Sequence, residues 1–362
     1  MKRLIAGLLL ALSAAAAPRW EMQYFLDEKD TTLILTDIAF PSAQRGLAVG
    51  GLAKNGRVKP VAMVTSDGGA KWTQVNAPDT GHSLFCLDET SCWMVSDKGI
   101  YFTDETGRTW KKIKGEEGLT GVYFLTREQG WAFGAGRKVI ATKDGGKSWT
   151  RVSEAEKLGT SKERTVFHAM VFLDAKTGFL TGRSEPLIRA ELPVWMETEP
   201  ELRKERPALS VFFETKNSGQ TWTTSTASIF GRIARMSSAA GTGVVLSLFE
   251  FDHAFSHPSE IWKLDAKSGK QSRLLRMKDF AATDVAVSGK STAIVAGFEP
   301  AGAIAKSPIP GRIRVFESSN LDTWSEMNVD YRAGGHRVRI AAADSDHVWI
   351  ATDTGMILRL VR

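Results

Sequence analysis

The sequence predicts an all-β protein, a seven-bladed β-propeller closed by its own N-terminal strand, and three observations predict it. First, a short string returns along the chain. Thr65-Ser66-Asp67-Gly68-Gly69-Ala70-Lys71-Trp72 recurs as Thr103-Asp104-Glu105-Thr106-Gly107-Arg108-Thr109-Trp110, as 142–149 and as 215–222, with a shortened copy ending at Trp324. Recurrence at this spacing marks a repeat architecture. Second, each copy lies between short apolar, β-rich runs, as in Val139-Ile140-Ala141 before and Thr150-Arg151-Val152 after, so each unit holds a hairpin. Third, the last unit stops after its third strand, 356–360, while the segment 20–25 reads as the missing fourth.

The string explains its own conservation of residue type along the chain. Its third position (Asp67, Glu105, Asp144, Asn217) supplies an oxygen that can accept backbone N–H groups of the turn. Its fifth (Gly69, Gly107, Gly146, Gly219) takes a positive φ without steric cost. Its eighth (Trp72, Trp110, Trp149, Trp222) packs a large apolar body beneath the turn. One acidic residue per copy is too few for a calcium site of six to eight oxygens. The string is therefore read as a structural corner, with no metal expected in it.

Each unit should be a four-stranded sheet, with strands A to D running outward from the axis. The A strands are expected at 33–38, 83–87, 121–125, 167–173, 233–236, 284–287 and 338–342. The B strands are expected at 46–50, 92–96, 130–134, 178–182, 243–248, 292–297 and 348–352. The fifth unit has a divergent C–D turn, 264–269, which keeps an Asp and a Gly but no Trp. Closure through the N-terminal segment removes exposed sheet edges, the general problem of all-β architectures.

The text around the turns carries a family likeness. Gln129-Gly130-Trp131-Ala132-Phe133-Gly134 leads through Val139-Ile140 into the turn at Asp144; Arg45-Gly46-Leu47-Ala48-Val49-Gly50 and Asp346-His347-Val348-Trp349-Ile350-Ala351 occupy the same place in other units. This unit resembles those of the photosystem II stability/assembly factor-like family of BNR/Asp-box repeat propellers, over nearly the whole chain after its leader. The resemblance implies a non-catalytic scaffold that binds or assembles a protein partner outside the cytoplasm, a partner often embedded in a membrane. The alternative is a sialidase-like glycoside hydrolase, which shares the Asp-box. That class carries an Arg-Ile-Pro entry motif, which 20–50 lacks, and a Tyr/Glu nucleophile pair. Of the four tyrosines, Tyr331 alone, beside Arg332 and Arg337, falls on the rim where such a site would lie. A xyloglucanase-type enzyme would need a second propeller, and the length has room for a single one. The reading taken is no enzyme and no cofactor.

Met1-Lys2-Arg3, an apolar core at 4–12 and small residues at 13–17 read as a signal peptide cut after Ala16. The expected organisation is thus a leader, 1–16, and one propeller domain, 17–362, periplasmic or secreted. The apolar core is too short to span a bilayer, and the leader has no Cys to suggest a lipoprotein. The formal net charge of +6 is too small and too interspersed for a nucleic-acid surface, and a monomer is expected. Cys86 and Cys92, the only cysteines, flank one hairpin turn; in an exported chain this points to a disulfide. A metal or catalytic pair is the competing reading, disfavoured because no other thiol is present.

The B–C and D–A connections lie on the rim opposite the Asp-box turns, and there the insertions are uneven. The fourth unit carries 183–207, with Arg183, Arg189, Trp195 and Arg203 and the acidic Glu197, Glu199 and Glu201. The fifth carries 250–258, with His253, Phe255 and His257; the sixth carries 298–310, with Lys306; and the first carries a shorter insertion at 52–57. Long loops on a rigid scaffold concentrate function, and aromatic and arginine side chains commonly anchor partners. Each feature has a plainer reading. His253 and His257 would face one way on a helix and bind a metal, but Pro258 and the strand context favour a hydrogen-bonded loop pair. The three glutamates either include a general acid or form a solvated acidic loop. Trp195 and Phe255 either anchor a partner or pack their own loop. For the cysteines, both thiols are expected to resist labelling in native, unreduced protein and to react after reduction. The short loop bounds the stabilisation at about 2 kcal/mol. Quantitative labelling of native material would refute the pairing.

Overall fold

The computed structural model describes residues 18–185, 208–239, 241–251, 257–289, 291–300, 311–329 and 335–362. The leader, and with it the expected cleavage after Ala16, lies outside the described residues. So do Arg189, Trp195, Arg203, His253, Phe255, Lys306, Tyr331 and Arg332.

Seven four-stranded antiparallel sheets form the propeller. The chain enters through β1 (Arg19–Tyr24), then builds blade one from β2 (Thr31–Ala39), β3 (Gly46–Lys54), β4 (Arg57–Thr65) and β5 (Thr73–Asn76). Blade two is β6 (Gly81–Cys86), β7 (Cys92–Ser96), β8 (Gly99–Thr103) and β9 (Lys111–Lys114). Blade three is β10 (Leu119–Phe124), β11 (Gly130–Gly134), β12 (Val139–Thr142) and β13 (Thr150–Arg151), followed by one helical turn, α1 (Ser153–Glu156). Blade four is β14 (Thr165–Phe172), β15 (Gly178–Ser184), β16 (Ala208–Thr215) and β17 (Thr223–Ile229). Blade five is β18 (Arg232–Ser237), β19 (Val244–Glu250), β20 (Glu260–Asp265) and β21 (Gln271–Arg276). Blade six is β22 (Ala281–Ser288), β23 (Thr292–Phe298), β24 (Ile313–Ser318) and β25 (Ser325–Met327). Blade seven is β26 (Val338–Ala342), β27 (Val348–Thr352) and β28 (Ile357–Val361), completed by β1 on its outer edge. The expected 52–57 insertion is instead a continuation of the β3–β4 ladder, turned by Asn55 and Gly56 at φ 52° and 73°. Asn-Gly tolerates those angles, so the ladder runs to the rim.

Burial follows radial position. All five residues of β7, β11 and β27 are buried, because neighbouring blades cover both their faces. The outer strands β5 and β9 leave their side chains largely in solvent. The seams between blades use a recurrent aromatic clasp. Trp349 of blade seven stacks on Phe40 of blade one at 3.5 Å, and Trp72 meets that Phe edge-on at 5.7 Å. Trp93, Phe124 and Trp149 repeat this between blades two and three, and Trp131, Phe172 and Trp222 between three and four. Each Phe ring lies over a glycine opening the next strand: a Cβ on Gly46, Gly130 or Gly178 would come within 2.4, 2.5 or 2.7 Å of it. In blade two Cys86 and Cys92 take the same cross-strand place as Phe124 and Gly130, and they are joined in a disulfide.

The Asp-box corners work through their own hydrogen bonds. Asp144 accepts from the Ser148 N–H at 2.9 Å and the Thr142 hydroxyl at 2.8 Å, while Thr142 Oγ1 accepts from Gly146 N–H at 2.8 Å. Asp67 and Asn217 do the same for Lys71 and Thr221. Glu105 departs from the pattern: its longer side chain accepts from the Thr109 hydroxyl at 2.7 Å. Hydrogen bonds from the Ser148 hydroxyl and N–H lead the causes that hold the Asp144 carboxyl down to about 2.

Two expectations follow. The depressed Asp144 value means its share of stability is present above about pH 4, the unfolded carboxyl range, and is lost as pH falls through about 2. Asp144→Asn keeps the acceptor, as Asn217 does, and should flatten the acid limb of a thermal-unfolding series; Asp144→Ala should lower Tm across the neutral range as well. Trp20 is buried in β1 among Leu358, Leu360 and Val338. Trp20→Ala should therefore cost about 3–5 kcal/mol in urea unfolding, and a near-neutral result would show that β1 does not close the ring.

Candidate functional site

Two concavities stand out among the described residues. The first lies on the axis. Six of the innermost strands have a one-residue register shift, at Thr36, His82, Thr120, His168, Ala234 and Thr283. A bulge of this kind re-aims a side chain. Here several of these side chains stitch a blade to the next: Thr36 donates to Gly81 O, Thr120 to Phe167 O, and Thr283 to Val338 O, while His82 Nε2 lies 2.9 Å from Leu119 O.

Next to the bulges sits a buried ionic cluster. Asp37 accepts from the N–H groups of Ile38 and, in the next blade, Leu84; Asp284 accepts likewise from Val285 and Ile340. The Arg235 guanidinium lies between them, 3.9 Å from Asp37 and 3.7 Å from Asp284. Arg339 donates to Thr283 O at 2.8 Å, and its Nε is buried without a partner among the described residues. Arg232 pairs with Glu250 at 2.9 Å. Burial pushes the Asp284 carboxyl up, against the pull of Arg235 and Arg339. Burial and the neighbouring Arg235 bring Arg339 down to about 10, so it stays charged at neutral pH. A channel of about 480 Å³ opens over this cluster, lined among others by His82, His168, Arg232, Arg235, Arg337 and Arg339.

The second concavity is the seam between blades four and five. The aromatic clasp fails there: the blade-five C–D turn has no Trp, and Ala239 stands near the place the clasp gives to Phe. Phe179, not Trp, opens β15 after its glycine. A cleft of about 720 Å³ results, lined chiefly by Phe179, Phe212, Phe230, Phe249, Trp262 and Ile229. Phe230 is 51% exposed. Lys263, Arg276 and His257 add basic groups, with Glu260 shared by Arg273 and Arg276 at 3.2 and 3.0 Å.

Of the rim residues read from the sequence, two are described. Arg183, near the end of β15, donates to Glu185 at 3.3 Å. His257 lines the cleft between blades four and five. The 183–207 insertion leaves from the end of β15 and returns at β16, both of which contribute to that cleft. No group of three or more His, Cys, Asp or Glu that could hold a metal occurs among the described residues. Sequence reasoning missed the axial cluster and the cleft aromatics. The cluster did leave a trace: Leu35-Thr36-Asp37-Ile38 returns as Ala282-Thr283-Asp284-Val285, a charge inside an otherwise apolar innermost strand.

The geometry thus defines a single-propeller Asp-box protein with an ionic axial channel and an apolar seam cleft. No family model matches the chain. It is 26% identical over 136 residues to the photosystem II assembly lipoprotein Ycf48 of Picosynechococcus, a match covering 34% of this chain and 38% of that protein. It is 29% identical over 101 residues to the chloroplastic photosystem II stability/assembly factor HCF136 of Arabidopsis thaliana, covering 26% of this chain and 24% of that one. These matched stretches span well under half of either relative. Among solved structures, YCF48 bound to D1 peptide superposes with a TM-score of 0.59 at 16% identity, covering 93% of this chain and 98% of that chain. The GH74 xyloglucanase of Xanthomonas campestris gives 0.60 at 13% identity, but this chain covers only 53% of it. At these identities the structural matches speak for the fold. Together with the curated matches, they bear out the family likeness: the chain is similar, at modest identity, to the photosystem II stability/assembly factors.

Proposed function

We propose that this protein is an exported, non-catalytic propeller that holds a protein partner outside the cytoplasm, as an assembly or stability scaffold. The observation that carries the reading is the apolar cleft at the clasp-free seam of blades four and five. Its lining includes residues of β15 and β16, the strands between which the longest insertion lies, and reaches Phe230, His257 and Arg276. Aromatic side chains left at a concave surface are the usual energetic centres of protein interfaces. The similarity to named assembly factors, and a relative in fold that is bound to a peptide, support a protein as the partner. The location outside the cytoplasm rests on the basic, apolar, small-residue leader and on the disulfide. No helix among the described residues is long and apolar enough to cross a membrane.

The non-catalytic part of the reading rests on the similarity to the named assembly factors; the xyloglucanase neighbour, at 13% identity, shares the fold alone. The sialidase-like alternative depended on Tyr331 and Arg332, which lie outside the described residues.

Replacing 185–207, which keeps the ladder pairs of Arg183 and Ser184, with a short Asn-Gly turn tests the reading. The ladder of β15 with β16 should close on the new turn and leave a cooperatively unfolding propeller. Partner capture, quantified against wild type in pull-downs from the extracytoplasmic fraction, should fall at least about tenfold, roughly 1.4 kcal/mol. A folded variant that binds fully would move the site away from this insertion.

A further inference from the structure

We propose that the axial channel is a receptor for a carboxylate, a site separate from the seam cleft that serves the partner. Three features of the channel point to it. The two aspartates of the ionic cluster are already occupied: each sets one oxygen on the N–H of its own next residue and the other on a strand of the next blade. Their carboxylates are thus tied into the channel wall. The facing arginines are not equally tied. Arg235 stands 3.7 and 3.9 Å from these carboxylates and donates no hydrogen bond among the described residues. Arg339 spends one nitrogen on Thr283 O and leaves Nε buried without a partner. Guanidinium forks carry five donors in a plane suited to a carboxylate, and buried donors left unmade are costly.

Charge selects the class further. Arg232, Arg235, Arg337 and Arg339 face Glu250, Asp37 and Asp284, four positive groups against three negative. The one surplus positive charge matches a monocarboxylate better than a dianion. Phe85, Tyr123, Met170 and Met236 also line the space, so an apolar body on the acid is accommodated. The volume, about 480 Å³, falls within the range of small-molecule sites. Arg337, exposed at the mouth, is the first cation such a ligand meets. Two sources supply this chemistry: a free short-chain acid, or the C-terminal carboxylate of a peptide.

The test uses butyrate as probe, with butyramide as its uncharged isostere, at constant ionic strength. Binding is read from the Nε–Hε signals of Arg235 and Arg339 by NMR and checked by calorimetry. Wild-type protein should show saturable shifts with butyrate, at a Kd on the order of 1 mM, and none with butyramide. Arg337→Gln lies outside the buried cluster and should fold normally while binding about tenfold more weakly. Arg235→Lys keeps the charge between Asp37 and Asp284 but removes the fork, and should weaken binding likewise. N-acetyl-Ala-Leu against its C-terminal amide separates the sources. Tighter binding of the acid peptide than of butyrate assigns the site to a chain terminus, and the reverse order assigns it to a free acid. Absence of saturable shifts in wild type, equal response to butyramide, or indifference to both substitutions would overturn the proposal. None of these readouts involves the 183–207 insertion, so failure here leaves the partner-binding reading standing.

Discussion

The structure depends on how one blade grips the next. A blade alone is a four-stranded sheet with two apolar faces, and its inner strands become stable only when both faces are covered. The clasp does this by stacking a Trp of one blade on a Phe of the next, with a second Trp edge-on, as in Trp93, Phe124 and Trp149. The Phe fits because the residue opposite it is glycine, where any side chain would collide with the ring. The Trp of the Asp-box is thus held at its corner by backbone hydrogen bonds and spent at the seam. Turn chemistry and blade packing are one device.

Where that device changes, the molecule gains its special features. Between blades one and two the Phe–Gly pair gives way to Cys86–Cys92, and Leu47 stands where other blades place Trp. The covalent link there ties β6 to β7 within blade two, while Leu47 of blade one packs against Cys92 and Trp110 across the seam. Between blades four and five nothing replaces it, and the seam opens into a cleft lined by phenylalanines. There Phe179 stands in place of the stacking Trp, Ala239 near the place of the Phe, and the 264–269 turn has no Trp, so every member of the clasp is changed at once.

The axis is organised by a different rule. Buried charges are costly, and a buried pair seldom repays its desolvation in full. The cluster of Asp37, Asp284, Arg235 and Arg339 is tolerable because both carboxylates take backbone N–H groups from two blades, which links ring closure to charge burial. Blades one, five, six and seven meet through it, so the sector without the full clasp is held from the inside.

Much of this was legible in the chain. The Asp-box strings marked the repeat, because a turn that braces itself with Asp144 or Asn217 leaves a local signature that needs no distant partner, and the recurring A and B strands between them gave the count of seven. Trp20 announced closure for the same reason, as an outer strand without its blade. The cysteine pair was readable from spacing, since both ends of one hairpin must come together. The seam and the axis were not readable, because their members are far apart in sequence and acquire meaning only by facing one another. Arg235 is one arginine among many until the ring brings it between Asp37 and Asp284. Phe179, Phe230 and Trp262 look like ordinary strand residues until the absent clasp leaves them around a cleft. Local hydrogen bonding and periodicity determined the blades from sequence alone; which charges met on the axis, and which seam stayed open, was decided by closing the ring.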